Sequence, residues 1–290
     1  MSCPKNILVT GCSGYIGSHF VRRLKEEFNC IIYGTDNVLA DNETLKFIDC
    51  FTYSNITNQN PFGYMPNLHE FDSIVHLAAK VNVGESVQNP YLYYNTNIFG
   101  TSQVLKLPTK NFIFASTGAA EKMENPYGIS KRAAEDIVRQ NRESNLLGQT
   151  DYTIFRFYNV IGKTVGNAPK NPDGLFHNLI KAKSTGKFTI FGGDYNTFDG
   201  TAIRDYVHVD EICKSLMKAI EKPSKKTENL GRCVGYSVKN IVETFKKVNK
   251  CDFQVGMGPR RKGDIEKSVL SKASDYMEKI YSLEEMLEIK

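Results

Sequence analysis

N-I-L-V-T-G-C-S-G-Y-I-G, residues 6–17, is the stretch from which the fold can be predicted. Its first five residues form a short, largely β-branched apolar run that predicts a buried strand. Glycines spaced as G-x-x-G-x-x-G follow, and apolar residues then recur at helical spacing from about Ile16 to Glu27. A strand, a glycine turn and a helix in this order bind dinucleotides, because the turn admits a pyrophosphate whose charge is stabilised at the helix N-terminus.

A second strand is predicted over residues 30–36, and it ends in an acid. Asp36 lies about 20 residues beyond Gly17, where an acid accepts hydrogen bonds from adenosine ribose hydroxyls and repels a 2′-phosphate. No lysine or arginine lies between Gly34 and Glu43 to receive such a phosphate. The pattern favours NAD over NADP, and the alternative is that Asp36 is an ordinary turn acid before Asn37.

Strands and helices continue to alternate along the chain. Further strands are predicted at residues 72–79, 111–117 and 152–157, with helices over residues 91–107 and 127–144 between them. Repeated β-α-β order predicts an α/β fold of the Rossmann type, a doubly wound parallel sheet with ligands outside the carboxyl ends of its strands.

A smaller α/β lobe is predicted at the C-terminal end. We expect residues 1–165 to form the nucleotide-binding domain, with some later segments returning to it, and residues 166–290 to form mainly the second lobe. Three further helices are predicted there, with N-terminal caps at Asp210, at Ser237 and, as a capping box with Glu285, at Ser282.

Composition excludes several classes of protein. With 290 residues and 41% hydrophobic content the chain can bury a full core, and no apolar run approaches a membrane span. The net charge of +5 is modest and its lysines and arginines are dispersed, which argues against a nucleic-acid surface. The seven cysteines are odd in number and scattered. They indicate reduced thiols in a cytoplasmic protein, without a disulfide frame or metal site.

The segment N-P-Y-G-I-S-K contains the strongest catalytic candidates. Pro126 suits a first helical turn, so Tyr127 and Lys131 should lie one turn apart on one face. A lysine ammonium beside a phenol lowers a pKa that is about 10 in water, which would make Tyr127 a general base near neutral pH. The alternative is a surface tyrosine beside a lysine, which is the commoner meaning of an isolated Y-x-x-x-K. Thr117 is expected nearby, at the carboxyl end of its strand.

Seven motifs now stand in a recognisable order: T-G-C-S-G-Y-I-G-S-H, H-L-A-A-K-V-N-V-G-E-S, N-F-I-F-A-S-T, P-Y-G-I-S-K, R-F-Y-N-V-I-G, D-G-T-A-I-R-D-Y-V-H-V-D and P-R-R-K-G-D. Together they resemble the extended short-chain dehydrogenase/reductases, in the NAD-dependent epimerase/dehydratase group, and most closely the UDP-glucose (UDP-galactose) 4-epimerases. The resemblance runs from about Asn6 to Asp275. It implies bound NAD, a UDP-hexose substrate inverted at C4 through a 4-keto intermediate, and a homodimer.

The resemblance also implies roles for individual residues. Tyr127 would be the general base and acid, Lys131 its electrostatic partner and a ribose ligand, and Thr117 the hydroxyl that orients the sugar 4-OH. Besides Tyr127 and Lys131, the residues expected to contact NAD are Gly11, Gly14, Tyr15, Ile16, Gly17, Asp36, Asn37, Asp49, Cys50, Leu77, Ala78, Ala79, Asn97 and Tyr158. Besides Thr117, those expected to hold the UDP-sugar are Asn159, Asn178, Leu179, Phe191, Arg204, Tyr206, Arg261, Asp264 and Ser268.

Several positions distinguish this chain from relatives within that group. Dehydratases place an Asp-Glu pair directly after the threonine, whereas Thr117 is followed by Gly118, Ala119 and Ala120, which favours epimerisation over elimination. The connection from Thr117 to Tyr127 is much shorter than is usual. The lysine of H-x-A-x-x-K is replaced by Val81, with Lys80 one place earlier.

Substrate size and activity leave alternatives open. Ser268 falls where a small residue admits N-acetylhexosamines and a bulky tyrosine excludes them, so UDP-GlcNAc and UDP-GalNAc are expected substrates beside UDP-glucose and UDP-galactose. The shortened rim of the site also permits another NAD-dependent nucleotide-sugar epimerase or reductase, or an NAD-binding sensor without turnover.

Overall fold

The computed structural model describes residues 5–63, 70–144, 150–163, 166–261 and 264–289. Its strands are β1 Lys5–Thr10, β2 Cys30–Asp36, β3 Cys50–Tyr53, β4 Ser73–His76, β5 Asn111–Thr117, β6 Asp151–Phe157, β7 Asn159–Ile161, β8 Lys187–Phe191, β9 Ile203–His208, β10 Thr227–Leu230, β11 Gly235–Ser237, β12 Gln254–Gly258 and β13 Lys267–Ser268. Its α-helices are α1 Tyr15–Glu27, α2 Asn42–Leu45, α3 Val83–Gln88, α4 Pro90–Tyr93, α5 Thr101–Val104, α6 Ala119–Lys122, α7 Pro126–Glu143, α8 Leu175–Thr185, α9 Val209–Glu221, α10 Val238–Val248 and α11 Leu283–Leu287. A π-helical segment, Tyr94–Gly100, joins α4 to α5.

A seven-stranded sheet in the order β10-β6-β5-β4-β1-β2-β3 forms the centre of the molecule. Every neighbouring pair in it is parallel. This arrangement confirms the predicted doubly wound Rossmann-type fold. Because all carboxyl ends meet at one edge, the glycine turn after β1, Asp36 after β2 and Thr117 at the end of β5 lie along that edge.

Helices cover both faces of the central sheet, and the apolar run of β1 is buried on both sides. Ile7 and Val9 face a cluster with Phe20 of α1, whereas Leu8 faces the opposite cluster with Val138 of α7. All five of these side chains have 0% exposure. Burying each one stabilises the fold by about 1.5–3 kcal/mol, which explains why a continuous apolar run forms this strand.

The C-terminal half contains a third apolar cluster, built from α8, α10, α11 and the short sheets that strands β7 to β9 and β11 to β13 form. Its largest members include Phe176, Phe188, Tyr206 and Phe245. Some later segments lie with the central sheet instead: β10 pairs with β6, and α9 contributes to the cluster around α1. The division at residue 165 stays a prediction.

Helix caps follow the sequence at two of the three predicted positions. Ser237 accepts a hydrogen bond from the Asn240 N–H, and Ser282 forms the predicted capping box with Glu285. The prediction for Asp210 is wrong. His208 caps α9 in a box with Glu211, and Asp210 lies in the first turn, where its carboxylate pairs with Arg23 of α1 at 2.9 Å. The sequence pattern missed this because histidine is an uncommon cap.

The helix predicted over residues 91–107 contains a π-helical segment that the apolar spacing did not indicate. Gly100, within it, packs so closely on Ile56 that a Cβ atom at position 100 would lie 2.6 Å from the Ile56 Cδ1 atom. The same segment buries Asn97. A π-helical turn often marks a functional region, and this one borders the carboxyl edge of the sheet.

Candidate active site

The glycine turn packs against the segment that follows β4, and only glycine fits at two of its positions. Gly11 has a φ of +73°, and a Cβ atom there would lie 2.7 Å from the Ala78 backbone nitrogen. A Cβ atom at Gly17 would lie 2.1 Å from the Gly11 carbonyl oxygen. No side chain caps the N-terminus of α1, which begins at Tyr15. The turn therefore presents backbone N–H groups and a helix dipole, as a dinucleotide pyrophosphate requires.

Asp36 stands beside this turn at the carboxyl end of β2. Its carboxylate accepts hydrogen bonds from the Ser13 N–H at 2.9 Å and the Val38 N–H at 3.1 Å. Partial burial raises the pKa of Asp36, although these hydrogen bonds oppose the shift. A carboxylate is acceptor-only, with about four lone-pair sites, so it suits the ribose hydroxyls as donors. The turn, the open helix end and Asp36 together fit NAD, and Asn37 next to Asp36 is exposed.

Asp49 and Cys50 do not lie at this edge, which corrects their expected role as NAD contacts. Cys50 pairs with Tyr33 in the parallel β2–β3 register, three residues before Asp36, so it lies about 10 Å back from the carboxyl edge. Asp49 precedes it and binds Lys25 at 2.6 Å and the Ile32 N–H at 2.8 Å. No strand was predicted between Asp36 and residue 72, so the sequence offered no strand end from which to place this contact.

Asn55 and Ile56 occupy the corresponding position beyond the carboxyl end of β3, and the sequence analysis missed both. Asn55 accepts hydrogen bonds from the Thr57 N–H and hydroxyl at 3.1 and 3.0 Å, and Ile56 is buried against Gly100. A strand boundary at Tyr53 would have indicated them, since cofactor contacts follow the ends of parallel strands.

The residues after β4 form one wall of the cleft. Leu77 and Ala78 pass under Gly11, and Ala78 and Ala79 are half-buried. Asn97 is 1% exposed. Its side-chain oxygen accepts from the Lys80 N–H at 2.8 Å, and its side-chain nitrogen donates to the Lys80 carbonyl at 3.0 Å. It also donates to the Ser130 hydroxyl of α7 at 2.9 Å. In this structure Asn97 therefore joins the cleft wall to the helix of Tyr127.

Two of the expected NAD contacts at the start of α1 direct their side chains into the protein. The Tyr15 hydroxyl donates to the Gly162 carbonyl at 2.5 Å, and burial raises its pKa. Ile16 packs against the central cluster. What these residues and Gly14 can offer a ligand is therefore backbone rather than side chain.

Thr117 and Tyr127 meet at the carboxyl edge of the sheet. Thr117 ends β5, and its side chain is near enough to the Tyr127 phenol to act on that group's pKa. Tyr127 lies in the first turn of α7, after Pro126, and Asn125 caps that turn by accepting from the Gly128 N–H at 2.9 Å. The sequence analysis placed Pro126 correctly and missed the cap at Asn125.

The pKa of Tyr127 differs from the value expected from the sequence. Burial raises the pKa of Tyr127 to about 12, and the neighbouring Thr117 side chain opposes this shift only partly. Lys131 is 3% exposed with its Nζ atom 4.1 Å from the centre of the Phe114 ring, and burial lowers its pKa to about 7. Spacing placed the pair on one face but did not reveal this burial, so the expected lowering of the phenol pKa is not found here.

The short connection between Thr117 and Tyr127 folds as α6, which packs on the first turn of α7. A Cβ atom at Gly128 would lie 2.5 Å from the Ala119 carbonyl oxygen, so glycine is required for this contact. Met123 ends α6 in the left-handed region with a φ of 55°. The shortened rim is thus an ordered turn that leaves Thr117 and Tyr127 in place.

The residues expected to hold a diphosphate form a second cluster, in the C-terminal half. Arg204 of β9 pairs with Asp264 and also donates to the Ile203 carbonyl at 2.9 Å. Arg261 lies with its guanidinium carbon 4.3 Å from the centre of the Phe191 ring and donates to the Asp173 carbonyl at 3.0 Å. Both cations have internal partners that a phosphate can replace. Lys262 and Gly263 lie outside the described residues.

Among the other residues expected to hold the UDP-sugar, some side chains are buried and others donate to backbone carbonyls. The side chains of Leu179 and Tyr206 are buried in the C-terminal cluster, so these two cannot contact a ligand through their side chains. Leu179 on α8 and Tyr206 on β9 were expected at the site, but both side chains point into the core. Asn178 donates to the Pro172 and Gly174 carbonyls, and Asn159 donates to the Asp205 carbonyl at 2.9 Å.

Tyr158 lies beside Gly118 in the first cluster, and Ser268 lies beside Arg204 in the second. The Tyr158 ring lies 3.4 Å from where a Cβ atom of Gly118 would be, directly beyond Thr117. Ser268 of β13 pairs with Arg204 of β9 in a parallel register. It is half-buried, with Arg204 beside it across the two strands.

A buried ionic network behind the catalytic residues was missed entirely. Glu135, fully buried on α7, accepts from Arg156 at 2.9 and 2.7 Å and from the Ser116 hydroxyl at 2.5 Å. One signal was present, because Arg156 interrupts the apolar strand T-I-F-R-F and a charge there requires a partner. Within the described ranges there is no cluster of residues able to hold a metal ion.

Comparisons with known proteins agree with these features. The model of the NAD dependent epimerase/dehydratase family matches residues 7–231. The UDP-glucose 4-epimerase of Lactobacillus helveticus is 33% identical over 295 residues, covering 89% of this chain and 86% of that protein. A crystal structure of UDP-glucose 4-epimerase from Thermotoga maritima with UDP-glucose superposes with a TM-score of 0.85 at 30% identity, covering 98% and 96% of the two chains. The UDP-Glc/GlcNAc 4-epimerase of Campylobacter jejuni gives a TM-score of 0.81 at 29% identity, covering 98% and 97%.

Proposed function

The chain belongs to the NAD dependent epimerase/dehydratase family, and from this membership we propose that it is an NAD-dependent isomerase that inverts C4 of a UDP-hexose. The observation that supports this most directly is that Thr117, at the end of β5, and Tyr127, in the first turn of α7, meet at the carboxyl edge of the sheet. They stand between a turn that fits a dinucleotide and two arginines that suit a diphosphate.

The reaction requires a proton to move at the sugar 4-hydroxyl in both directions. Tyr127 accepts that proton as the sugar is oxidised and returns it after the 4-keto sugar has turned over. Thr117, next to the phenol, orients the hydroxyl. A phenolate formed during the reaction would be stabilised by the ammonium of Lys131, one turn away on α7. NAD, when bound, supplies the acceptor and donor of the C4 hydride. No acidic residue follows Thr117 to promote loss of water.

Cofactor binding falls to the first half of the chain. Gly11 and Gly17 allow the backbone to approach the pyrophosphate, the N-terminus of α1 stabilises its charge, and Asp36 receives the ribose hydroxyls. Lys80 lies one place before Val81, and its Nζ atom is 3.8 Å from the Glu85 carboxylate.

The UDP portion binds in the second half. Arg204 and Arg261 exchange their internal partners for the diphosphate, which tethers the sugar while its ring turns over. Ser268, small and adjacent to Arg204, leaves room for an N-acetyl group, so UDP-GalNAc and UDP-GlcNAc are substrates beside UDP-galactose and UDP-glucose.

Assembly and location complete the proposal. The protein forms a homodimer through the π-helical segment and α7, which pack together and expose Phe99 (44%) and Ile129 (41%). It is cytoplasmic, since the cysteines of the described residues are all free. No helix in the described part of the chain is long and apolar enough to cross a membrane.

The test is NMR of UDP-galactose and UDP-GalNAc, incubated separately with the purified protein with and without added NAD. Conversion to the gluco epimers without net NADH is expected. NAD binding without conversion of either sugar would refute the 4-epimerase assignment and favour a non-catalytic sensor or a different nucleotide sugar. Stoichiometric consumption of NAD would indicate a net dehydrogenase.

A further inference from the structure

The groups near the Lys131 ammonium differ in charge: some are neutral, and one is negative. His76 of β4 faces it, but burial and the Lys131 charge lower the pKa of His76 to about 3, so the imidazole is neutral. Phe114 of β5 offers the face of its ring at 4.1 Å. Tyr127, one turn earlier on α7, is an un-ionised phenol in the ligand-free protein. Glu135, one turn later, is the negative group that raises the pKa of Lys131 against burial.

Glu135 is held rigidly by groups on two strands. Arg156 of β6 binds both of its carboxylate oxygens, and the Ser116 hydroxyl of β5 binds one of them. Arg139 of α7 lies 3.7 Å away. Without the charge on Glu135, Arg156 would lose the carboxylate that binds it one helical turn from Lys131, whereas Arg139 would keep its pair with Asp136.

We propose that Glu135 is a positioning residue for the proposed epimerisation: its carboxylate keeps the buried Lys131 in the ammonium form and, through Ser116, fixes the end of β5 from which Thr117 reaches the substrate. This inference rests on the proposed function for its catalytic meaning. The electrostatic part concerns the ligand-free protein and stands independently. A purely structural role for the network makes a different prediction, because either member of an ion pair would then matter in the same way.

Paired variants separate the two explanations. Glu135→Gln keeps an acceptor for Ser116 and Arg156 but removes the negative charge, so Lys131 should titrate roughly one unit lower than in the wild type. Arg156→Gln disturbs the same network but leaves the negative charge in place, so Lys131 should titrate at the same pH or higher. Ser116→Ala breaks a hydrogen bond without changing any charge and should leave the titration unmoved.

The titration is read in the protein without ligands by NMR of lysines labelled with ¹³C at Cε, with Lys131→Met identifying the signal. The double variant Glu135→Gln/Arg156→Gln removes both members of the Glu135–Arg156 ion pair and serves if either single variant fails to fold. In it, Lys131 should titrate below its value in Glu135→Asp, which retains the charge. An unmoved titration in Glu135→Gln, or shifts of the same sign in Glu135→Gln and Arg156→Gln, would overturn the proposal.

Activity gives a second, distinguishable readout. Turnover requires the Lys131 ammonium, so the alkaline limb of the rate profile with UDP-galactose should move to lower pH by the same unit in Glu135→Gln. Above that limb kcat should fall about tenfold with KM unchanged. A wild type that does not epimerise would refute the proposed function while leaving the titration result intact. A shifted titration with an unshifted rate profile would refute the catalytic part of this inference.

Discussion

The catalytic cluster and the diphosphate cluster hold their cations in opposite ways. Lys131 is 3% exposed, and the carboxylate one turn away, Glu135, is fully buried and bound by three donors. Arg204 and Arg261 lie nearer the surface, where Asp264 and the Asp173 carbonyl are their partners. The first cluster is fixed before any ligand arrives, whereas the second is held by partners that a ligand can displace.

The difference follows from what each cluster has to do. A proton donor must be positioned before the reaction, since misplacement is costly to the rate, and burial in a close-packed sheet provides that order. A diphosphate must enter and leave, so the cations that bind it need internal partners that are easily displaced. Partly exposed ion pairs meet this need, because they contribute only about 0–1 kcal/mol to stability. Changes in the first cluster should therefore act on kcat and stability, and changes in the second on KM.

Replacing the proton donor should produce the largest effect. Tyr127→Phe removes the phenol hydroxyl and leaves the ring, so turnover should fall about 10²- to 10⁴-fold while NAD binding is retained. Tyr93→Phe is a matched control, because its ring lies 6.3 Å from that of Tyr127 but its hydroxyl serves Asn82 and Glu85. Steady-state epimerisation of UDP-galactose measures both. Near-normal turnover in Tyr127→Phe would remove this residue from the mechanism.

Sequence patterns predicted which residues form the catalytic cluster, but not their burial or the resulting pKa shifts. The glycine turn, Asp36, Thr117, Tyr127 and Lys131 are recognisable because each follows a strand end or a helical spacing. The burial that raises the pKa of Tyr127 to about 12 and lowers that of Lys131 to about 7 depends on packing between distant elements, which spacing does not encode.

The errors have a common origin in strand and helix ends. Asp49 was chosen instead of Asn55 because β3 was not predicted, and Asp210 was chosen instead of His208 as a cap. In the second cluster, Tyr206 was selected from a motif, yet its side chain belongs to the core. Position along a chain indicates an edge or a face, whereas side-chain direction is decided by what packs there.

Burial of Lys131 should also cost stability in a pH-dependent way. Its folded pKa of about 7 is below the ordinary lysine value near 10.4, so between these values the unfolded chain binds more protons and stability rises with pH. Lys131→Met removes a cost that is fully present below pH 7. It should therefore stabilise the protein by a few kcal/mol more at pH 6.5 than at pH 10.

Urea unfolding at the two pH values measures this difference. Lys122→Met, on the exposed surface of α6, is the matched control and should show equal effects at both. An effect of Lys131→Met that does not depend on pH would mean that the lysine binds its proton equally in the folded and the unfolded chain, which would contradict a pKa lowered by burial.

The diphosphate cluster should respond through KM. Arg204→Gln removes a charged donor, so KM for UDP-galactose should rise about 10- to 100-fold with kcat nearly unchanged. Arg260→Gln is the matched control, because its guanidinium is turned to the Asp194 carboxylate at 2.7 Å and stacks on Tyr195. A fall in kcat equal to the loss in kcat/KM would show that Arg204 acts only in the transition state, and the contrast between the two clusters would fail.

The smallest expected change concerns which sugar is accepted, at the point where the two clusters meet. Ser268 lies beside Arg204 across the β13–β9 pair, and a tyrosine there would occupy space next to the bound diphosphate. Ser268→Tyr should lower the ratio of UDP-GalNAc to UDP-galactose turnover about tenfold, since overpacking costs at least about 1 kcal/mol. Lys267→Tyr adds the same ring on the opposite face of the strand, because successive side chains alternate, and should leave the ratio unchanged. An unchanged ratio in Ser268→Tyr would move the control of sugar size to the shortened rim at α6.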